Sequence, residues 1–400
     1  MTDTMALIDS YADQVVDTSK KMIPIKAISP ESGGSGESAR ADFLQSLIES
    51  FGVAVKRYSY KDGSGTERPN LVAVYGDSPR TVWVIAHMDT VTEGDRSLWK
   101  YEPFEATVVG ERIYGRGIND DGQDVIAGIY ALKALKESGA KLAYSYGLAI
   151  VADEELGSKY GIQKLIDEGI FKKDDLIIVP DGGTALGDEI EVAEKGILWL
   201  KISVKGQQVH ASTPDKGVNA YRMAIKFLAE ADSVLHSKFT SSNKLFEPSA
   251  STFEMTKHEK NTDSVNIIPG LEVSYLDCRV LPEYGLDEVI STVSEIAKRP
   301  EFSAASISVE TFNREDAAPP TPADSEIAEL LKRSVGRVLD CSPRIVDVGG
   351  GTCAAYFRQK GMNAVVWSKK PDTEHRPNEY ALVSDMLADA KVFADMCLQR

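Results

Sequence analysis

The sequence predicts an α/β protein, a unit built on a mostly parallel sheet and interrupted by a smaller α+β unit. Three observations carry this reading. Near-continuous apolar runs, "NLVAVYG", "TVWVIAH", "GLAIVADEE" and "DLIIVPD", alternate with helical stretches; strands covered on both faces read this way. Near Lys195 and Gly196 the pattern changes. In "LWLKISVKG" the apolar Leu200, Ile202 and Val204 alternate with Lys201, Ser203 and Lys205, as in a strand with one wet face. After the Pro-rich connector "NREDAAPPTPAD" the apolar strand "NAVVWS" resumes the first pattern. The expected organisation is residues 1–195, an insert over 196–312, and a resumption over 313–400.

The elements follow in order. Leu7, Ile8, Tyr11, Val15 and Val16 share the spacing of one helix face. "PESGGSGES" is a loop, and Phe43, Leu44, Leu47, Ile48 and Phe51 line a second helix over 39–51. "DVIAGIYALKALKESG" is a helix that Gly139 stops. In the insert, helices over 220–236 and 286–298 separate the strands "LWLKISVKG", "LEVSYLDCRV" and "SISVETF". A helix over 325–339, the strand "NAVVWS" and a helix from Ser384 complete the reading.

Composition narrows the function. The formal net charge of −16 across 400 residues argues against nucleic acid and against an anionic membrane surface as partners. No stretch has the apolar length of a membrane span. The first residues carry acids and no long apolar run, so a signal peptide is not expected. The four cysteines, Cys278, Cys341, Cys353 and Cys397, are scattered without a C-x-x-C pair, which fits reduced thiols and a cytoplasmic location.

The informative fact is where ionisable residues fall. His87 and Asp89 follow one apolar strand, Glu154 and Glu155 a second, Asp181 a third, and His375 lies shortly after a fourth. Asp120, in "GRGINDDGQ", sits just before a helix. Open α/β sheets place ligand sites at the carboxyl ends of their strands, so these groups converge. Converging acids without cations repel. A pair of divalent metals sharing one carboxylate resolves the repulsion, and mixed His and carboxylate donors suit zinc, with cobalt or manganese as relatives. Taken singly, "H-x-D", "DEE" and "GRG" are ordinary structural motifs; their order and placement carry the argument. His236 and His258 lack such a context and read as structural.

"HMDTV", "YGRGINDDG", "VADEELGS", "PDGG", "GQQVHASTPDKGVNA" and "TEHRPNE" resemble, in order and over nearly the whole chain, the motif series of the co-catalytic zinc family of acetylornithine deacetylase, succinyl-diaminopimelate desuccinylase, aminoacylase, carnosinase-type dipeptidases and glutamate carboxypeptidase. The resemblance implies a zinc-exopeptidase-like catalytic domain with an inserted α+β lid and dimerisation domain. It implies two divalent ions per subunit, with His87, Asp120 and Asp181 holding one and Asp120, Glu155 and His375 the other. Glu154 is then the general base for the metal-activated water, and Asp89 orients His87. His210 is then an oxyanion donor that can serve the other subunit of a homodimer. Asn266, Arg279, Gly351 and Thr352 fall at positions that contact substrate in the family.

There are departures. Many relatives carry Lys-Gly where this chain has Gly122-Gln123, which tells against a close match to the standard desuccinylase. Asp181 stands where deacylases and carboxypeptidases usually have Glu, and with "VAEKG" it points toward dipeptidases. The expected function is therefore amide hydrolysis of a dipeptide or an N-acyl amino acid. The alternatives are a biosynthetic N-succinyl or N-acetyl diamino acid deacylase, a single-metal deacetylase, and a non-catalytic binding protein on the same fold.

Overall fold

The computed structural model describes residues 3–348 and 350–398. The chain divides into two compact units. The first comprises residues 1–192, 320–346 and 352–400, and the second 193–319 and 347–351. The sequence reading ended the insert at Phe312, whereas the strand Ser306–Glu315 runs past it. Asp347–Gly351 joins the second unit as a separate segment. Gly349, within the Gly-rich loop "VGGGT", lies outside the described residues.

In the first unit the sheet runs, strand by strand, Val55–Lys61, Glu67–Tyr75, Ser145–Val151, Thr81–His87, Leu176–Val179, Ala364–Val366, Glu189–Glu194 and Arg344–Val348. The four central strands from Ser145–Val151 to Ala364–Val366 are mutually parallel, and the strands beside them pair antiparallel. Every residue of Thr81–His87, Ser145–Val151 and Leu176–Val179 is buried, as their unbroken apolar runs require. The helix Gln123–Ser138 is buried along almost its whole length, and the left-handed Gly139 (φ 60°) ends it. The expected single N-terminal helix is two, Thr4–Asp9 and Ala12–Met22, broken at Ser10-Tyr11.

The second unit has a four-stranded antiparallel sheet in the order Thr252–His258, Leu271–Val280, Gly196–Lys205, Ser306–Glu315. Leu198, Leu200, Ile202 and Val204 form its core with Phe227 of the helix Ala220–Lys238 and Val293 of the helix Leu286–Ala297. Lys201 and Ser203 are half-buried and Lys205 exposed, so the period-two pattern separates the two faces as expected.

Candidate metal centre

The carboxyl ends of the central strands deliver the site. His87 is the last residue of its strand, and Asp181 follows Val179 after one proline. Glu154 opens the 3-10 turn Glu154–Leu156 beyond Val151. Asp120 lies in the loop before the helix Gln123–Ser138, and the loop after Ala364–Val366 carries His375. Gly117 makes that approach possible. Its φ is +75°, and a Cβ there would stand 2.2 Å from Thr90 Cγ2.

Two groups of three result. His87, Asp120 and Asp181 offer ligand atoms within 4.8 Å of one another, and so do Asp120, Glu155 and His375. Asp120 belongs to both. Its Oδ1 lies 2.8 Å from His87 Nε2 and its Oδ2 2.9 Å from His375 Nε2. His375 Nε2 is also 3.1 Å from Glu155 Oε2, and His87 Nε2 is 3.8 Å from Asp181 Oδ1. The donors are imidazole nitrogens and carboxylate oxygens, one carboxylate turning an oxygen to each group. That set fits two borderline divalent cations sharing a ligand.

Electrostatics point the same way. Burial opposes a charged His87, but the surrounding carboxylates of Asp120, Asp181 and Asp89 outweigh it and raise its pKa. Hydrogen bonds to the carboxylates of Asp120 and Glu155 push His375 up to about 11. Burial and the nearby Asp120 push Glu155 up to about 7. Burial, with Asp181 close by, raises the Glu154 carboxyl well above its ordinary value. Without cations the cluster therefore holds itself together with protons. Ligation needs neutral imidazoles, so the ions must displace them. Loading the apoprotein at pH 7 should release at least about two protons per chain, one from each raised histidine, with a further contribution from Glu155. Calorimetric titration with zinc in buffers of different ionisation enthalpy measures this. An enthalpy independent of buffer would show that neither histidine is a ligand.

The supporting contacts differ in part from the sequence reading. His87 Nδ1 lies 3.1 Å from the Asp89 carbonyl oxygen and 3.5 Å from its carboxylate. The Asp89 carboxylate instead accepts from the backbone N–H groups of Glu154 (3.0 Å) and Glu155 (3.1 Å). Asp89 thus serves the imidazole mainly through its main chain and holds the Glu-Glu turn with its side chain.

Sequence reasoning missed Glu379. It is fully buried and accepts from Arg116 Nη1 (2.7 Å) and from the backbone N–H groups of Gly117, Asn119 and Asp120. The last of "TEHRPNE" therefore holds the loop that carries Asp120. Asp121, Asp124 and Lys370 were also missed. Lys370 Nζ lies 3.8 Å from Asp124 Oδ2 and 4.0 Å from Asp181 Oδ1, a buried cation among acids. Burial lifts the Asp124 carboxyl to about 6 against the pull of Lys370. No spacing along the chain links residue 124 to residue 370.

Thr352 is buried in the first unit, its hydroxyl accepting from the Ala354 N–H. The other expected residues lie in the second unit. His210 is exposed at the end of the short strand Val209–His210, opposite Ile267. Asn266 is exposed, and its carbonyl accepts from the Ala211 N–H. Arg279 Nε pairs with Asp277 at 2.7 Å, and Gly351 is exposed.

The model of peptidase family M20/M25/M40 matches residues 83–399. The chain belongs to that family. An uncharacterized metallohydrolase of Methanocaldococcus jannaschii is 36% identical over 96% of this chain and 98% of its own length. A succinyl-diaminopimelate desuccinylase of Orientia tsutsugamushi is 26% identical over 96% of each chain. Among solved structures, human carnosine dipeptidase 1 superposes with a TM-score of 0.80 at 18% identity, covering 98% of this chain and 97% of that one. Likeness at that identity speaks for the fold, and it is the expected α/β fold with an added α+β unit. This M20 chain is a metal-dependent hydrolase of peptide or amide C–N bonds. The non-catalytic alternative falls away. No described helix is long and apolar enough to cross a membrane.

Proposed function

We propose that this M20 enzyme is a dinuclear zinc amidohydrolase, cytoplasmic and homodimeric, that cleaves the amide bond of a dipeptide or an N-acyl amino acid. The observation that carries the reading is the pair of three-residue groups sharing Asp120. His87, Asp120 and Asp181 would hold one ion, and Asp120, Glu155 and His375 the other. The ions supply Lewis acidity, which makes a water acidic near neutral pH and offsets charge on the carbonyl oxygen. Glu154 belongs to neither group, so its carboxylate is available to take the water's proton and pass it to the leaving amine. Cobalt or manganese would suit the same donors.

A hydrolysis screen of dipeptides against N-acetyl and N-succinyl amino acids, with zinc, cobalt or manganese added, tests the substrate class. Turnover of dipeptides alone would exclude the biosynthetic deacylase. The desuccinylase likeness keeps N-succinyl substrates in the screen, and Asp181 favours dipeptides. One tightly held ion per active chain would instead support a single-metal deacetylase.

His210 fits an oxyanion donor by its tautomer. The Ser212 N–H donates to its Nδ1 (3.2 Å), and the Ser212 hydroxyl lies 2.7 Å from the same atom. A neutral ring then carries its proton on Nε2 and can donate it. The dimer reading is supported by the edge strand Thr252–His258. Met255 on it and Tyr221 and Ile225 on the neighbouring helix are 49%, 48% and 52% exposed, an apolar strip beside an open strand edge. His210→Ala should leave metal content intact and lower kcat by about 10²–10³, the cost of one oxyanion donor. Mixing His210→Ala subunits with Glu154→Gln subunits should restore part of the activity if His210 serves the partner. No recovery despite subunit exchange would mean that it serves its own subunit.

A further inference from the structure

The turn that carries Glu154 is an unfavourable one. Asp153, Gly157 and Ser158 all have left-handed backbones, with φ of 66°, 94° and 59°. Two of these are not glycine, and the side chain of an L-residue crowds the carbonyl there. Three acids in a row, Asp153, Glu154 and Glu155, repel one another as well. Such a turn does not hold its shape unaided.

The strand Glu67–Tyr75 supplies the restraint. Arg68 and Asn70 are two residues apart, so they project to the same face, and both are fully buried. Arg68 Nη2 lies 3.1 Å from Asp153 Oδ1. The same guanidinium is forked onto Glu37, with Nη2 to Oε1 at 2.7 Å and Nε to Oε2 at 2.9 Å, so it cannot swing away. Asn70 Oδ1 accepts from the Ala152 N–H (3.0 Å), and its Nδ2 donates to the Tyr160 carbonyl (2.9 Å). Asp153 Oδ2 closes the loop by accepting from the Tyr160 N–H (2.9 Å). The turn is gripped before and after Glu154, while Asp89 holds the amides of Glu154 and Glu155.

We propose that Arg68 and Asn70, acting through Asp153 and the ends of the 152–160 segment, are positioning residues that aim the Glu154 carboxylate. They touch no member of the two ligand groups, and the Glu155 carboxylate in the same turn is held besides by the Val91 N–H and His375, so their effect falls on the base more than on metal retention. The inference rests on Glu154 being the general base.

The test uses the full-length, metal-loaded enzyme and two variants. Asp153→Asn keeps the shape, the left-handed tolerance and the acceptor for Tyr160, and loses only the ion pair with Arg68. The double variant Arg68→Met/Glu37→Gln removes Arg68 with its forked partner; Asp153 and Asp62 lose the same cation, so its folding is verified before its rate is read. The expected result is a kcat lowered about 10–100-fold, as for groups that orient a reacting residue, with KM within about twofold and metal content unchanged. Arg68→Lys alone, which keeps the cation, should lose less than the double variant. Full kcat in either folded variant, or a kcat loss matched by loss of metal, would overturn the proposal. Glu154→Gln is assayed alongside. If that variant stays active, the role of Glu154 fails; if it is inactive while Asp153→Asn is fully active, the positioning proposal alone fails.

Discussion

Replacing Glu154 with Gln is expected to lower kcat by about 10⁴-fold, the upper end for loss of general acid–base catalysis, while metal content stays the same. Gln keeps the volume and loses the basicity. The backbone of residue 154 stays pinned by Asp89, and neither ligand group contains Glu154. The side chain sits among Asp181, Glu155 and Asp89, so removing its charge relieves repulsion and should not unfold the turn. Elemental analysis beside steady-state rates checks both halves. Activity above a few per cent, with metal unchanged, would remove Glu154 from the mechanism.

The second large effect is at the shared ligand. Asp120→Ala should lose activity and both ions together, because one oxygen of Asp120 faces each histidine. It would also leave His87 and His375 without their closest carboxylate. Asp89→Ala should be milder on metal, on the order of 10–100-fold in affinity, since it acts through other groups. Its carboxylate holds the Glu154 and Glu155 amides, so kcat should fall more than metal affinity does. Equilibrium dialysis with zinc separates the two variants. A greater loss of metal from Asp89→Ala than from Asp120→Ala would reverse the assigned roles.

What was legible in the sequence was whatever burial forces into a pattern. Strands such as Thr81–His87 and Ser145–Val151 have no exposed residue, so their apolar runs are unbroken and the polar residues at their ends stand out. The ligand candidates were readable for that reason. Strands with mixed patterns were not. Glu189–Glu194, "EIEVAE", reads as charged, yet its glutamates are wholly or partly buried within the sheet. Val55–Lys61 is an edge strand with intermittent exposure and no apolar run. The three-stranded sheet of Thr107–Val109, Arg112–Tyr114 and Tyr380–Leu382 is built from pieces too short to show a period.

The supporting residues were hidden for a different reason. Arg68 in "ERPN" looks like a surface charge, and only the fold reveals that Glu37 and Asp153 meet it in the interior. Glu379 was within a quoted motif, but its partners begin more than 250 residues earlier, at Arg116. Sequence spacing shows which residues share one element. It does not show which elements become neighbours.

The separation of the ligands along the chain also governs when the enzyme can come into being during its synthesis. His87, Asp120, Glu155 and Asp181 leave the ribosome long before His375, which completes one of the two groups. Glu379, which fixes the Asp120 loop, emerges later still. Between the two sets the ribosome must deliver the whole second unit, residues 193–319 and 347–351. A growing chain that stops short of residue 375 carries most of the acids but neither the closing imidazole nor the anchor of the shared carboxylate, and one that stops short of 379 still lacks the anchor. Hydrolytic competence is thereby deferred until translation has passed that point, and chains aborted earlier would be released without peptidase activity.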